Sequence, residues 1–307
     1  MKKDLLSLLD LEENDFEKLF TRAINLKKRY SKGIFDKILA GKTLGLIFDK
    51  QSTRTRMSFE TAMVQLGGHP IYMSAKDTQI ARNEPAKDTA RVLSKYIDCL
   101  AIRTFDHALV EEFAEHSTIP VINALTDSFH PCQILSDIMT IIEYKGGYKN
   151  KKIAWVGDGN NVVNSWINAA SVLRFELFIA TPKGYDVKPD IIKNAYVEKH
   201  ENIMFTNDPK HAVKNADVVY TDAWASMGDE DNLAKRINDF KGFQVNKKLL
   251  SIAKDDALVM HCLPAHRGEE IAKDVFEDKN GVFWDQAENK RHMHKAILET
   301  LILNNCS

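Results

Sequence analysis

Ser52-Thr53-Arg54-Thr55-Arg56 places three hydroxyls and two guanidinium groups in five consecutive residues, just after the apolar run Thr43–Phe48. Donors crowded there suit an anion. The first turn of a helix leaves unsatisfied N–H groups and a partial positive charge, which favour phosphate. Hydroxyls and Arg54 would add directional donors. The plainer alternative is a Ser/Thr cap with surface arginines. The stretch has no glycines and no GK[ST] ending, so it is not a Walker A loop.

Four more stretches carry polar groups at positions that could do chemistry. In 129-FHPCQILSD-137, Pro131 suits a first helical turn, with His130 just before it and Gln133 one turn in. A histidine donor and an amide at the carboxyl end of a strand region could polarise a carbonyl, because open α/β sheets bind ligands there. Arg103 ends the run Cys99–Arg103, a cation where a strand is otherwise apolar. A structural histidine and a surface arginine are the competing readings.

In 155-WVGDGNNVVNSW-166, Gly157 and Gly159 match the start of a dinucleotide fingerprint, but Val162 stands at its third glycine. No acidic residue ends the following strand either. Asn160, Asn161 and Asn164 offer uncharged donors and acceptors instead, better suited to an amino acid's carboxylate than to a pyrophosphate. In 221-TDAWASMG-228, Asp222 at a strand's end could meet an ammonium or merely cap a turn, and Ser226-Met227-Gly228 open a polar stretch. In 260-MHCLPAHRGEEI-271, Cys262 beside His261 and His266 suggests a thiol nucleophile, a metal site or substrate packing. Adjacent strand residues point to opposite faces, so His261 and Cys262 cannot simply form a dyad. The ligand spacing of a zinc site is also missing.

These residues need elements to hold them. Short apolar runs at Thr43–Phe48, Pro70–Met73, Cys99–Arg103, Val121–Asn123, Ile153–Val156, Leu177–Ala180, Ile203–Thr206, Val218–Thr221, Ala257–Met260 and Val282–Trp284 read as strands. Helical patterns such as Phe59, Met63, Leu66 and Ile134, Ile138, Ile141 separate many of them, which predicts parallel sheets covered by helices. A helix from Pro131 to the turn at Gly146-Gly147 divides two α/β domains. A last helix, Lys295–Leu303, could pack back on the first of them. The N-terminal Leu5, Leu8, Leu9, Phe16, Leu19 and Phe20 have helical periodicity, and residues 226–245 read as a long polar loop.

Length and composition fit a soluble two-domain protein: 307 residues, 44% hydrophobic and 28% charged. With Lys+Arg 42 against Asp+Glu 43, no nucleic-acid or membrane partner is expected, and anion binding must come from local clusters. The cysteines Cys99, Cys132, Cys262 and Cys306 form no CxxC pair, which favours free thiols in a reducing compartment. The acidic N-terminus has no export or organellar pattern, and no segment approaches the roughly 20 apolar residues of a membrane span. A cytoplasmic protein is expected.

Taken in order, STRTR, Arg103, HPCQ, GDGNNVVNS, DAWASMG, HCLPAHRG and the AEN at residues 287–289 resemble the transcarbamoylases of the aspartate/ornithine carbamoyltransferase superfamily along essentially the whole chain. STRTR and HPxQ are shared by its aspartate and ornithine branches, whereas SMG and HCLP point to ornithine. The resemblance implies two doubly wound domains, each a mostly parallel sheet flanked by helices, joined by interdomain helices. Residues 1–135, with the helix 290–307, would bind carbamoyl phosphate, and 136–289 would bind ornithine. The implied reaction forms citrulline and phosphate in arginine biosynthesis, although the chemistry alone does not separate synthesis from breakdown.

The resemblance also assigns roles. Ser52, Thr53, Arg54, Thr55 and Arg103 would hold the phosphate, and Thr55, Arg103 and His130 the carbamoyl oxygen. Gln133 and the Leu263 carbonyl would orient the carbamoyl nitrogen. Gln79 would reach a neighbouring subunit's site, implying a homotrimer. Asn161 would take the ornithine carboxylate, Asp222, Ser226 and Met227 the α-amino end, and Cys262 would lie near the reacting δ-nitrogen. Leu263–Pro264 resembles the family's cis peptide. Closure of the 226–245 loop would exclude water, and no metal or organic cofactor is implied. One departure stands out: the family's AENR is 287-AENKR-291 here, so either Lys290 serves as a weaker phosphate contact in the arginine's place, the favoured reading, or Arg291 substitutes through a small backbone shift. Lysine keeps the charge but loses the two-pronged geometry.

Overall fold

The structure is a computed structural model that describes residues 1–49, 52–74, 76, 78–79, 84–225 and 233–305. It divides into two compact units, Met1–Met139 with Ala287–Ser307, and Thr140–Gln286. The boundaries fall inside two helices, Pro131–Lys145 and Phe283–Asn304.

In the first unit the chain runs α1 (Glu13–Ser31), β1 (Thr43–Phe48), α2 (Thr53–Gln65), β2 (His69–Ser74), α3 (Ala86–Leu93), β3 (Cys99–Arg103), α4 (His107–His116), β4 (Val121–Leu125) and α5 (Pro131–Lys145). The four strands are all parallel, in the order β2-β1-β3-β4. From Leu44 onward β1 is buried at every residue, which is why it reads as an unbroken apolar run: helices cover both faces of a parallel sheet. The order reverses between β1 and β3. Their carboxyl ends lead into Ser52 and Arg103, so the donor-rich motif and the strand-end cation both belong to that crevice.

The second unit repeats the plan with β5 (Lys152–Val156), α6 (Asn161–Leu173), β6 (Glu176–Ala180), α7 (Pro189–Asn194), β7 (Ile203–Thr206), α8 (Pro209–Val213), β8 (Val218–Thr221), α9 (Leu233–Asp239), α10 (Lys247–Leu250), β9 (Leu258–His261), α11 (Lys273–Phe276) and the start of α12 (Phe283–Asn304), which from Ala287 onward belongs to the first unit. Its parallel sheet has the order β7-β6-β5-β8-β9. Here the switch lies between β5 and β8, whose ends carry the Gly157–Asn161 turn and Asp222. Trp155 and Tyr220, paired across that switch, stack with centroids 5.5 Å apart, and Trp155 Nε1 donates to the Asp158 carbonyl at 3.0 Å. No helix among the described residues is long and apolar enough to cross a membrane.

Four expectations need correction. Leu5 belongs to no helix. It is fully buried and bridges Ile122 in parallel, through Leu5 N to Val121 O (2.9 Å) and Asn123 N to Leu5 O (2.8 Å). The stretch 226–245 contains α9, and Phe240, Phe243 and Val245 enter the core of the second unit. The helix escaped notice because Ala234, Lys235, Ile237 and Asn238 face solvent. Val282–Trp284 is not a strand. Val282 N reaches Val259 O at 3.1 Å, but the chain turns into α12 at Phe283, and Gln286 N already bonds Val282 O at 2.9 Å. The last helix therefore begins well before Lys295 and carries Lys290.

Candidate active site

In the first unit, Ser52 caps α2 with an extended backbone, and its hydroxyl makes no capping bond. Arg103 Nη1 donates to Ser52 Oγ instead, at 3.1 Å, tying the end of β3 to the start of α2. Thr53 and Arg54 are exposed on the same first turn, whereas Thr55 is 2% exposed. Arg56 turns away, bonding Glu60 at 2.8 Å and lying 3.4 Å over the Tyr72 ring.

A second group gathers around Lys290, which is 5% exposed. Its ammonium donates to Thr55 Oγ1 (3.1 Å) and Gln133 Oε1 (2.9 Å) and lies 3.4 Å from His130 Nε2. Gln133 in turn donates from Nε2 to Asp137 Oδ1 at 2.8 Å. Residues from α2, α5 and α12 thus meet through one cation. Arg291 does not join them: it bonds Glu288 at 3.1 Å and lies 4.4 Å over Tyr30. Gln79 is exposed beyond the edge strand β2.

Burial sets the protonation of this cluster. It pushes the His130 imidazole well below its ordinary value, and the positive charges of Lys290 and Arg103 add to the effect. His294, stacked on Phe59 with centroids 3.6 Å apart and Nδ1 2.7 Å from Ser58 Oγ, is lowered in the same way by burial and then Lys290. His292 is lowered to about 3 by burial and then Arg291, Lys295 and Lys27. These histidines fold neutral but take up protons when unfolded, below an ordinary value of about 6.5. The unfolded chain then binds more protons, so stability rises with pH and is lost as pH falls below about 6.5 toward the folded values. Each such histidine contributes up to about 1.4 kcal/mol per pH unit. Urea midpoints at pH 7.5 and 5.5 check this: a clear drop at the lower pH is expected, and His294→Gln is expected to lessen it.

In the second unit, Asp222 lies just past β8 with both carboxylate oxygens engaged. Oδ1 accepts from Cys262 Sγ (2.8 Å) and the Ala223 N–H (2.8 Å), and Oδ2 accepts from Asn160 Nδ2 (2.8 Å). Asn160 is also the cap of α6: its Oδ1 accepts from Val162 N (2.9 Å) and Val163 N (3.3 Å), while Asn161 opens the helix. Gly159 packs so tightly that a Cβ would lie 2.6 Å from the backbone of Asp186 and Val187. Its lack of a side chain therefore serves chain packing, not a pyrophosphate, and the dinucleotide reading loses its main support.

At the end of β9, His261 Nδ1 accepts the Leu263 N–H at 2.8 Å, and Nε2 meets the buried Glu270 carboxylate at 3.0 Å. The imidazole so braces the Cys262–Leu263 backbone, and the Leu263–Pro264 peptide is cis, as the resemblance implies. Asp222, His261 and Cys262 bring possible ligand atoms within 4.8 Å of one another. Because both His261 nitrogens are already bonded, the imidazole has no lone pair to spare for a metal. Arg236 on α9 donates to Asp158 Oδ2 (2.9 Å) and the Trp224 carbonyl (2.7 Å), fixing the described flank of the stretch that includes Ser226 and Met227. Those two residues lie outside the described ones.

Comparison with known proteins settles what kind of chain this is. The family model described as the aspartate/ornithine carbamoyltransferase carbamoyl-P binding domain matches residues 3–143, and the one described as the Asp/Orn binding domain matches 149–301. The chain belongs to the aspartate/ornithine carbamoyltransferase family.

Among curated members it is similar to the ornithine carbamoyltransferase of Syntrophus aciditrophicus, 55% identical over 98% of this chain and 100% of the relative. It is also 49% identical to that of Archaeoglobus fulgidus, over 98% and 97%. Among solved structures it resembles the Pyrococcus furiosus ornithine carbamoyltransferase, with TM-score 0.91, 48% identity, and 96% and 95% of the two chains covered. A second is the anabolic enzyme of Campylobacter jejuni, with TM-score 0.91, 40% identity, and 99% and 100% covered. Sequence reasoning about this carbamoyltransferase chain grouped Asn160 with Asn161 and Asn164 without pairing it with Asp222, and passed over Asp137, Glu270 and the brace at His261. An asparagine just before an apolar helix was a capping signal for Asn160. The other contacts are set by tertiary packing.

Proposed function

We infer that the chain transfers the carbamoyl group of carbamoyl phosphate to the δ-amino group of L-ornithine, giving L-citrulline and phosphate, in arginine biosynthesis. The observation that carries the acceptor is the Asp222 carboxylate held at 2.8 Å by the Cys262 thiol and at 2.8 Å by Asn160, at the switch point of the second sheet. A fixed anion there suits an α-ammonium group. Membership of the family along both domains supports the donor.

The roles divide by unit. Ser52, Thr53, Arg54, Thr55 and Arg103 bind the phosphate and stabilise it as it leaves, since preorganised donors act where charge develops. Thr55, Arg103 and His130 donate to the carbamoyl oxygen, and Gln133 and the Leu263 carbonyl orient its nitrogen. Lys290 supplies the cation beside Thr55, His130 and Gln133. On the acceptor side Asn161 takes the ornithine carboxylate, Asp222 with Ser226 and Met227 the α-amino end, and Cys262 lies by the δ-nitrogen. An alkylammonium value near 10.4 leaves on the order of one amine in a thousand neutral at pH 7, so the site must select or generate the neutral form. That nitrogen attacks the carbamoyl carbon, the carbon–oxygen bond to phosphate breaks, and phosphate departs with the proton that the nitrogen loses.

The protein works in the cytoplasm as a homotrimer. Met57 and Val64 on α2 and Ile71 on the edge strand β2 are exposed apolar residues (56%, 59% and 41%), a surface that a second copy would cover. Gln79, exposed after β2, would reach a neighbour's site. Sedimentation equilibrium tests this, with a mass three times that of one chain expected.

The deciding assay incubates purified protein with carbamoyl phosphate and, separately, ornithine, aspartate, putrescine or acetylornithine. Citrulline from ornithine alone is expected. Product with only another acceptor would overturn the assignment.

A further inference from the structure

Gln133 is 3% exposed and is held at both ends of its amide. Its Oε1 accepts from the Lys290 ammonium at 2.9 Å, and its Nε2 donates to Asp137 Oδ1 at 2.8 Å. Asp137 is fully buried, one helical turn further along α5. An ammonium only donates and an ionised carboxylate only accepts, so this orientation of the amide is forced. Turned over, the Gln133 NH2 would face the ammonium and its oxygen would face the carboxylate.

We infer that Asp137 is a positioning residue that locks the Gln133 amide with its oxygen presented to the donor, so that the site selects a carbamoyl group over an acyl group of the same shape. The inference rests on the reading that Gln133 receives the carbamoyl nitrogen. An amide oxygen has two lone pairs, and Lys290 uses one. The second accepts an N–H of the carbamoyl group. Acetyl phosphate has a methyl at that place and cannot donate, which leaves a buried acceptor unmatched. Sites built to hydrogen-bond a group discriminate strongly against analogues that lack it. Without Asp137 the amide keeps only one of its two restraints and can turn its NH2 toward the substrate's own NH2.

Binding of carbamoyl phosphate, acetyl phosphate and inorganic phosphate to the wild type, Asp137→Ala, Asp137→Asn and Gln133→Leu tests this. The wild type is expected to prefer carbamoyl over acetyl phosphate. In Asp137→Ala that preference falls about tenfold, the worth of roughly one good hydrogen bond, while inorganic phosphate binds as before. Asp137→Asn, whose side chain can present either an acceptor or a donor to Gln133, lies between. An undiminished preference in both Asp137 variants, with Gln133→Leu losing it, would overturn the role of Asp137. Equal weakening of all three ligands would do the same, since it marks a merely structural residue. If Asp137→Ala does not fold, Asp137→Asn decides, and a wild-type preference in it overturns the inference. A wild type with no preference, or a Gln133→Leu variant that keeps it, instead removes the reading of Gln133.

Discussion

Arg103→Ala is expected to lower kcat/KM for carbamoyl phosphate by about 10²- to 10³-fold, the usual cost of removing one preorganised donor from developing charge. The guanidinium stands at the end of β3 and bonds the Ser52 hydroxyl at 3.1 Å, so its loss removes a charge and loosens the α2 cap together. Neither effect reaches the core, because Leu100, Ala101 and Ile102 keep β3 buried behind it. The unfolding midpoint is therefore expected to stay near that of the wild type while turnover collapses. Arg103→Lys separates the two contributions: it restores charge but not the planar fork, and is expected to recover only part of the rate. Wild-type turnover in Arg103→Ala would remove this residue from the donor site.

Asp222→Ala is expected to act on the other substrate. Truncating one partner of a buried, hydrogen-bonded charge pair costs about 2–5 kcal/mol, so kcat/KM for ornithine falls by roughly 30- to 4,000-fold. Three groups lose their shared acceptor at once: the Cys262 thiol, the Asn160 amide and the Ala223 N–H. Asp222→Asn keeps the shape but not the charge, and is expected to be nearly as impaired, since the ammonium responds to charge. Binding of inorganic phosphate, measured by calorimetry, should be unchanged in both variants. Ornithine kinetics within tenfold of the wild type would show that some other group meets the α-amino end.

The sheets were legible because parallel strands buried on both faces leave unbroken apolar runs. Thr43–Phe48, Cys99–Arg103 and Val218–Thr221 stand as read on that ground, and the edge strand Ile203–Thr206 also stands although Met204 and Phe205 are exposed. Legibility failed where a local pattern met a competing contact. Val282 makes one strand-like bond to Val259 before the chain enters α12, so a short apolar run looked like a strand. Helix α9 buries too little to show a periodicity. Of two adjacent asparagines in the same turn, no spacing rule separates Asn160, which bonds Asp222, from Asn161. Pairings such as Gln133 with Lys290 join residues 157 positions apart, so only the folded chain brings them together.

The lysine at position 290 also bears on how long such a site survives its own substrate. Carbamoyl phosphate decomposes to cyanate, which carbamoylates primary amines through the nitrogen lone pair, a fate that a guanidinium largely escapes. Thr55 and Gln133 accept N–H groups of the Lys290 ammonium, and an Nζ held in that protonated form has no lone pair to offer. Intact-mass mapping after cyanate exposure reads this directly: carbamoylation at Lys290 ahead of the exposed lysines would contradict it. The contacts that aim the charge thereby also act as a chemical protecting group.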